Sequence, residues 1–111
     1  MIHCMKLQPS PFDAIKNGTK DIEMRLNDEK RQQIRIGDII EFTNTSTGEI
    51  IKVKVINKHM FDSFDNLYKS FDKIRLGYKP NEIPSPNDMT QYYPKEEINQ
   101  NGVVGIEIKL I

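Results

Sequence analysis

The chain has 111 residues, a mass of 12.9 kDa and 16 Lys and Arg against 16 Asp and Glu, so its formal net charge is zero. This length suits a single domain over residues 1–111, and area scaling gives a folded surface of about 6,300 Å². The charge balance excludes a field that would draw the whole molecule to nucleic acid or to a membrane. No apolar run approaches the ~20 residues of a membrane span, so no membrane partner is expected.

Cysteine and histidine are too scarce for a disulfide framework or a zinc site, since the chain has one Cys and two His. A lone thiol is typical of a reducing compartment, and the first residues lack the apolar core of a secretory signal, so we expect a cytoplasmic protein. Cys4 and His3 are adjacent and would point to opposite faces of a strand. Cys4 is therefore predicted to be a buried thiol, and neither a metal nor a cofactor is expected.

The chain begins with a predicted strand and a predicted helix. Residues 2–7 form a short mixed run that suits a strand. Ser10 can cap a helix, Pro11 suits its first position, and Gly18 supplies the left-handed residue that ends it. These features predict a helix over residues 11–17.

Alternating residues predict the strands that follow. In residues 21–26 three apolar side chains alternate with three charged ones, which indicates a half-buried strand. A short helical turn at 29–33 precedes a strand over 39–43. A long return strand then contains the alternating apolar residues of 51–55.

The second half of the chain is predicted to hold two helices and the last strand. Residues 85–88 repeat the helix-start pattern of residues 10–13, and this helix would end before Pro94. Alternating residues after Gly102 predict the last strand. An aromatic and apolar stripe at helical spacing predicts another helix, with its stripe in the core: Phe64, Leu67, Tyr68 and Phe71.

Five strands and two or three short helices place the chain in the α+β class. With few helices to cover a sheet, closure into a barrel hides the strand edges economically. We expect a small, mixed, mostly antiparallel β-barrel with helices at its ends. The first and last strands are expected to pair.

A cluster of charged residues surrounds the predicted turn from the first helix into the second strand. Lys20 stands at this turn, and Glu23 and Arg25 are two residues apart on the strand, so they share a face. We therefore predict that Glu23 and Arg25 pair, with Lys20 nearby. Spacing alone allows either an ion-pair network that braces the corner or a binding site with an amine, a carboxylate and a guanidinium.

The pattern of this cluster resembles the ASCH family, small domains with a PUA-like barrel fold. The family pattern is a helix that ends in Gly-x-Lys-x-x-Glu-x-Arg, here residues 18–25, followed by Gly-Asp before the next strand, here 37–38. The resemblance continues at Tyr-Tyr-Pro, residues 92–94, and in residues 102–106 of the last strand. It covers nearly the whole chain.

The resemblance implies a cleft beside the motif that binds RNA or a modified nucleoside. Lys20 and Arg25 would meet a phosphate or a base edge, with Glu23 beside them. Tyr93, or its neighbour Tyr92, would offer a ring on which a base can stack. Further basic residues could extend the contact, although a solvated surface is their ordinary role: Arg31, Arg35, Lys52 and Lys54.

Enzymatic activity is the alternative that the resemblance implies. Some small members hydrolyse the acetyl amide of 4-acetylcytidine, and ribonuclease activity has also been ascribed to the family. In the amidohydrolase pattern a threonine stands three residues after the lysine, and this chain has Glu23 there. A carboxylate cannot replace a hydroxyl nucleophile, but it can act as a base toward water. Lys20 and Glu23 are therefore the candidate catalytic residues of this alternative, with Glu82 as a possible third group.

Overall fold

The predicted strands form a single sheet in the computed structural model, which describes residues 1–111. The strand order is β1-β3-β4-β5-β2; β1 and β3 are parallel, and all other neighbours are antiparallel. The mixed, mostly antiparallel α+β class is therefore confirmed. The strands are β1 (Ile2–Leu7), β2 (Ile22–Leu26), β3 (Ile39–Asn44), β4 (Ile50–Phe61) and β5 (Val103–Leu110).

The sheet curls into a half-barrel that stays open between its edge strands, β1 and β2. The expected pairing of the first and last strands is wrong. The reason is that β5 already bonds to β4 on one side and to β2 on the other, so neither of its edges is left for β1. Lys6 of β1 and Arg25 of β2 face each other across this opening.

The chain has five short helices, more than the two or three predicted. The sequence missed the last one because only Ile98 of its seven residues is buried, which leaves no apolar periodicity to detect. The first helix begins two residues before its predicted start, with Gln8 rather than Ser10 at the cap. The helices are α1 (Pro9–Lys16), α2 (Glu29–Gln32), α3 (Phe64–Ser70), α4 (Asn87–Thr90) and α5 (Lys95–Asn101).

Buried apolar side chains form one cluster on each face of the curled sheet. The inner face, with Phe42 and Ile106, packs against Phe12 and Ile15 of α1 in a cluster of 12 buried residues. The outer face carries a second cluster of 8 buried residues, into which α3 and α5 pack. Because both faces of β2 are covered, Glu23 is buried as well, and the prediction of a half-buried strand is wrong.

Side chains of β1 alternate between buried and exposed, and Cys4 falls on the exposed side. His3 is buried and its Nε2 lies 2.8 Å from Oδ2 of Asp38, whereas Cys4 is exposed. The prediction of a buried thiol is therefore wrong. Met5 and Leu7, two and four residues after His3, point into the inner core and fix this register.

The aromatic stripe of α3 is only partly in the core. Phe64 and Leu67 are fully buried in the outer cluster, as predicted. Tyr68 and Phe71 pack against that cluster but remain partly exposed. None of the helices is long and apolar enough to cross a membrane.

Candidate functional site

The opening between β1 and β2 holds a cleft of about 490 Å³. This volume lies within the range of small-molecule sites in proteins, which runs from roughly 300 to 1,000 Å³. One wall comes from residues 6–11, at the end of β1 and the start of α1, and the other from residues 20–25. Residues of α3, of the loop that follows it, of α4 and of the turn after α4 cover the cleft: Tyr68, Leu76, Gly77, Tyr78, Glu82, Asp88, Met89, Tyr92 and Tyr93.

Lys20, Glu23 and Arg25 meet at this cleft in a buried ion-pair triad. The Arg25 Nε donates to Oε2 of Glu23 at 2.9 Å, and the Arg25 Nη2 lies 2.8 Å from the same oxygen. The ammonium of Lys20 lies 3.4 Å from Oε1 of Glu23. The side chains of Lys20, Glu23 and Arg25 are 3%, 5% and 16% exposed. The structure thus brings together the three residues that the motif spacing predicted to be neighbours.

Both cations of the triad also hold a second segment of the chain. The Lys20 ammonium donates to the carbonyl of Leu76 at 2.8 Å, which ties it to the turn after α3. Nη2 of Arg25 donates to the carbonyl of Lys6 at 3.0 Å, which bridges the opening from β2 to β1. Nη1 of Arg25 makes no hydrogen bond within the protein, so it is available to a ligand.

The charges of the triad depend on one another. Burial alone would raise the pKa of Glu23, but Arg25 and Lys20 outweigh this effect, so its pKa lies below the ordinary value. Burial lowers the pKa of Lys20, and Glu23 offsets this only in part. Burial acts against the Arg25 charge too, but Glu23 dominates and the Arg25 pKa is raised. With Lys20 protonated, one carboxylate faces two cations, so the triad carries a net positive charge, although Glu82 and Asp88 also line the cleft.

A chain of hydroxyl groups forms another part of the wall, and the sequence did not reveal it. The hydroxyls of Tyr68 and Tyr78 are 2.8 Å apart, and Tyr78 donates to Oδ2 of Asp88 at 2.7 Å. Burial is the main reason why the pKa values of both tyrosines are raised. The available signal was chemical, because a half-buried tyrosine, unlike phenylalanine, needs a partner for its hydroxyl.

A family model of the ASCH domain matches residues 5–111. The chain belongs to the ASCH domain family. The PUA-like fold is confirmed, and ASCH domains are generally thought to bind RNA. No curated protein sequence matches the chain.

Three solved structures resemble this ASCH chain. The crystal structure of the hypothetical protein PH0355 is 36% identical, covers 100% of both chains and has a TM-score of 0.83. The solution structure of protein PF0455 from Pyrococcus furiosus is 33% identical, with 100% and 98% covered and a TM-score of 0.74. The crystal structure of the ZmASCH S128A mutant from Zymomonas mobilis is 13% identical, with 97% and 67% covered and a TM-score of 0.66, which supports the fold alone.

The two neighbouring tyrosines of this ASCH domain both line the cleft, but in different environments. The ring of Tyr93 stacks on Phe64, with centroids 5.9 Å apart and an angle of 18°. Tyr92 is 61% exposed and has no aromatic partner. Glu82 also lines the cleft, where its Oε1 accepts the backbone N–H of Lys79 at 2.7 Å.

The other candidate basic residues lie outside the cleft. Arg31 pairs with Asp28 at 2.9 Å, and Arg35 lies in the exposed turn after α2. Lys52 and Lys54 are exposed on the outer face of β4. No cluster of three or more His, Cys, Asp or Glu side chains is arranged to hold a metal ion.

Proposed function

We propose that this ASCH domain binds RNA or a modified nucleoside in the cleft between β1 and β2. The observation that carries the proposal is the buried triad of Lys20, Glu23 and Arg25, whose two cations and one carboxylate present hydrogen-bond donors and an acceptor at the cleft. In a molecule without net charge, affinity for a nucleic acid has to come from such local groups and from stacking.

The side chains of the triad and the two neighbouring tyrosines have chemistry that suits a nucleobase or its phosphate. Nη1 of Arg25 can donate to a base edge or a phosphate, and Oε1 of Glu23 can accept from an exocyclic amine. Lys20 holds the carboxylate in place through its own contacts with Glu23 and Leu76. The exposed ring of Tyr92 would stack on a base, and Tyr93 would contact the ligand from the cleft wall.

Titration with cytidine, 4-acetylcytidine and a short single-stranded RNA at low salt tests this proposal, with binding measured by calorimetry and by NMR shifts of cleft residues. Tyr92→Leu and Tyr93→Leu should each weaken binding, because a stacked base contributes roughly 1–3 kcal/mol. Arg25→Met should also weaken it. The matched control is Lys69→Ala, an exposed residue of α3 outside the cleft. Absence of binding by all three ligands at low salt would rule the proposal out.

Hydrolysis of an acylated nucleoside is the second candidate function, and the buried Lys20 with its lowered pKa favours it. A lysine that loses its proton more easily is better suited to act as a general base. Glu23 is less suited to that task, because two cations keep it ionised and weaken its basicity. In this reaction Lys20 would act as the general base, and Glu23 would orient the Lys20 amine. Glu82 would be a further carboxylate in the cleft.

Incubation with 4-acetylcytidine distinguishes this second function from binding alone. Release of acetate and cytidine that is lost in Lys20→Met, with the variant still folded, would support the hydrolase. Incubation with a short RNA under the same conditions tests ribonuclease activity, with cleavage products resolved on a gel. Binding without turnover would leave the domain as a binding module.

A further inference from the structure

Part of the outer face of the sheet has no helix over it. The outer apolar cluster covers β2 and the neighbouring part of β5, where α3 and α5 pack. At the other end of the sheet, the outward side chains of β1, β3 and the first half of β4 include no member of either buried cluster. This uncovered outer face is therefore a free surface of the domain.

Lysine dominates the charge of that surface. Its outward side chains include Lys6 of β1 and Lys52 and Lys54 of β4, and Lys109 adjoins it at the end of β5; all four are exposed. The acidic side chains beside them are Glu41, whose carboxylate lies 4.0 Å from the Lys52 ammonium, and Glu107, two residues before Lys109, which already pairs with His59 and Arg75. The surface thus carries a positive excess, although the formal charge of the whole chain is zero.

Two of these lysines are placed where they repel each other. Lys54 and Lys109 are direct cross-strand partners in the antiparallel pair of β4 and β5. Like charges opposite each other destabilise a sheet, and neither ammonium has a carboxylate within ion-pair distance. An anion bound between them would relieve this repulsion.

The lysines also lie on a line that starts at the cleft. Lys6 lines the cleft mouth, and its side chain faces outward on β1. Lys52 and Lys54 follow on β4, two strands away from β1, and Lys109 lies directly opposite Lys54 on β5. From strand spacing and rise, the line from Lys6 to Lys109 spans about 20 Å, which is long enough for several successive phosphates of a single strand.

We propose that the uncovered outer face binds the phosphodiester backbone of an RNA strand whose base occupies the cleft. The strand leaves the cleft past Lys6, crosses the sheet beside Lys52 and places phosphates between Lys54 and Lys109. Continuity with the cleft favours RNA over an anionic membrane, since membrane binding requires no connection between the lysines and the cleft. This inference rests on the proposed function and extends it from a single nucleotide to a strand.

The test compares two double variants that remove the same charge. Lys54→Gln/Lys109→Gln removes the cross-strand pair, and Lys69→Gln/Lys95→Gln removes two exposed lysines of α3 and α5. We expect the first variant to bind a single-stranded hexanucleotide about tenfold more weakly at low salt, with the slope of log K against log salt smaller by about 1.4. Its affinity for cytidine should not change, and its melting temperature should rise slightly, because the repulsion is gone. The control variant should bind both ligands like the parent.

Several outcomes would overturn the proposal. If both double variants bind the hexanucleotide with equal affinity, the outer face is not an RNA surface. The same conclusion follows if the parent binds the hexanucleotide no more tightly than it binds cytidine. In both cases the cleft remains a nucleoside site. If anionic phosphatidylserine vesicles, and not the hexanucleotide, lose binding in the first variant, the surface belongs to a membrane. If neither cytidine nor the hexanucleotide binds the parent, the proposed function fails together with this extension.

Discussion

Glu23 is a buried carboxylate that two cations share, and this arrangement carries a desolvation cost. The free-energy cost of taking charges out of water is offset only when their ionic partners and hydrogen bonds are well placed. Here Arg25 supplies Nε and Nη2, Lys20 supplies its ammonium, and the carbonyls of Leu76 and Lys6 accept further hydrogen bonds from these two cations. The same contacts brace the fold and orient groups toward the cleft, so the ion-pair network and the proposed binding site share the same residues.

Arg25→Met should lower the free energy of unfolding by about 3 kcal/mol, because a buried carboxylate loses its main partner while Lys20 remains. Lys16→Met is the control, since Lys16 pairs only with Glu49, through side chains that are 51% and 43% exposed. Exposed pairs contribute at most about 1 kcal/mol. Urea denaturation measures both variants. If both variants lose the same free energy of unfolding, burial does not make the triad more stabilising than an exposed ion pair.

The turn after α3 is hydrogen-bonded to the start of β2, which carries the motif. The carbonyl of Arg75 accepts the backbone N–H groups of both Asp21 and Ile22, and the next carbonyl, of Leu76, accepts from the Lys20 ammonium. Gly77 has a positive φ of 106°, and a Cβ there would lie 3.0 Å from Cδ of Lys20. The turn therefore needs glycine both for its backbone conformation and for its approach to Lys20.

Gly77→Ala should destabilise the domain by about 1–2 kcal/mol, the ordinary cost of a left-handed alanine. It should also weaken ligand binding, because the new methyl group pushes against Lys20. Gly18→Ala provides the comparison: its φ is +84°, but nothing lies within 4 Å of the added Cβ. We expect a similar loss of stability there with unchanged affinity. Equal affinity of the two folded variants would show that Gly77 does not position Lys20.

Across the whole molecule, two carboxylates make the stability depend on pH. The pKa of Glu23 lies below its ordinary value, despite burial, because of Arg25 and Lys20. The pKa of Asp38 is lowered from 3.8 to about 2, chiefly by its hydrogen bond with His3. Both groups bind a proton more readily in the unfolded chain, so their contribution is present above the ordinary carboxylate pKa and is lost as the pH falls.

Unfolding free energies measured in urea should therefore decrease as the pH is lowered from about 5 to about 2. In Asp38→Asn the unfolding free energy should decrease less over this pH range, because the contribution of the Asp38 carboxylate is absent. Glu96→Gln, a change at an exposed residue of α5 without an ion pair, should leave it as it is. A stability that stays constant across this pH range would contradict the ionised, paired state of Glu23 and Asp38.

Local patterns in the sequence determined the strands, the class and the members of the triad. Alternation between neighbours located β3, β4 and β5, because side-chain direction in a strand follows directly from residue order. The spacing of Lys20, Glu23 and Arg25 was likewise short enough for the chain itself to bring them together. The resemblance carried by residues 18–25 indicated the family from the same local information.

Contacts between distant segments were decided only by the tertiary structure. The half-barrel stays open because both edges of β5 are taken, and alternation within single strands contains no information on which edges pair. The cleft wall of Tyr68, Tyr78 and Asp88 joins residues from three places beyond the motif, and the Leu76 carbonyl reaches Lys20 across 56 positions. Burial of Glu23 also required both apolar clusters, since a strand that is polar on one face becomes fully covered only when a second layer packs on it.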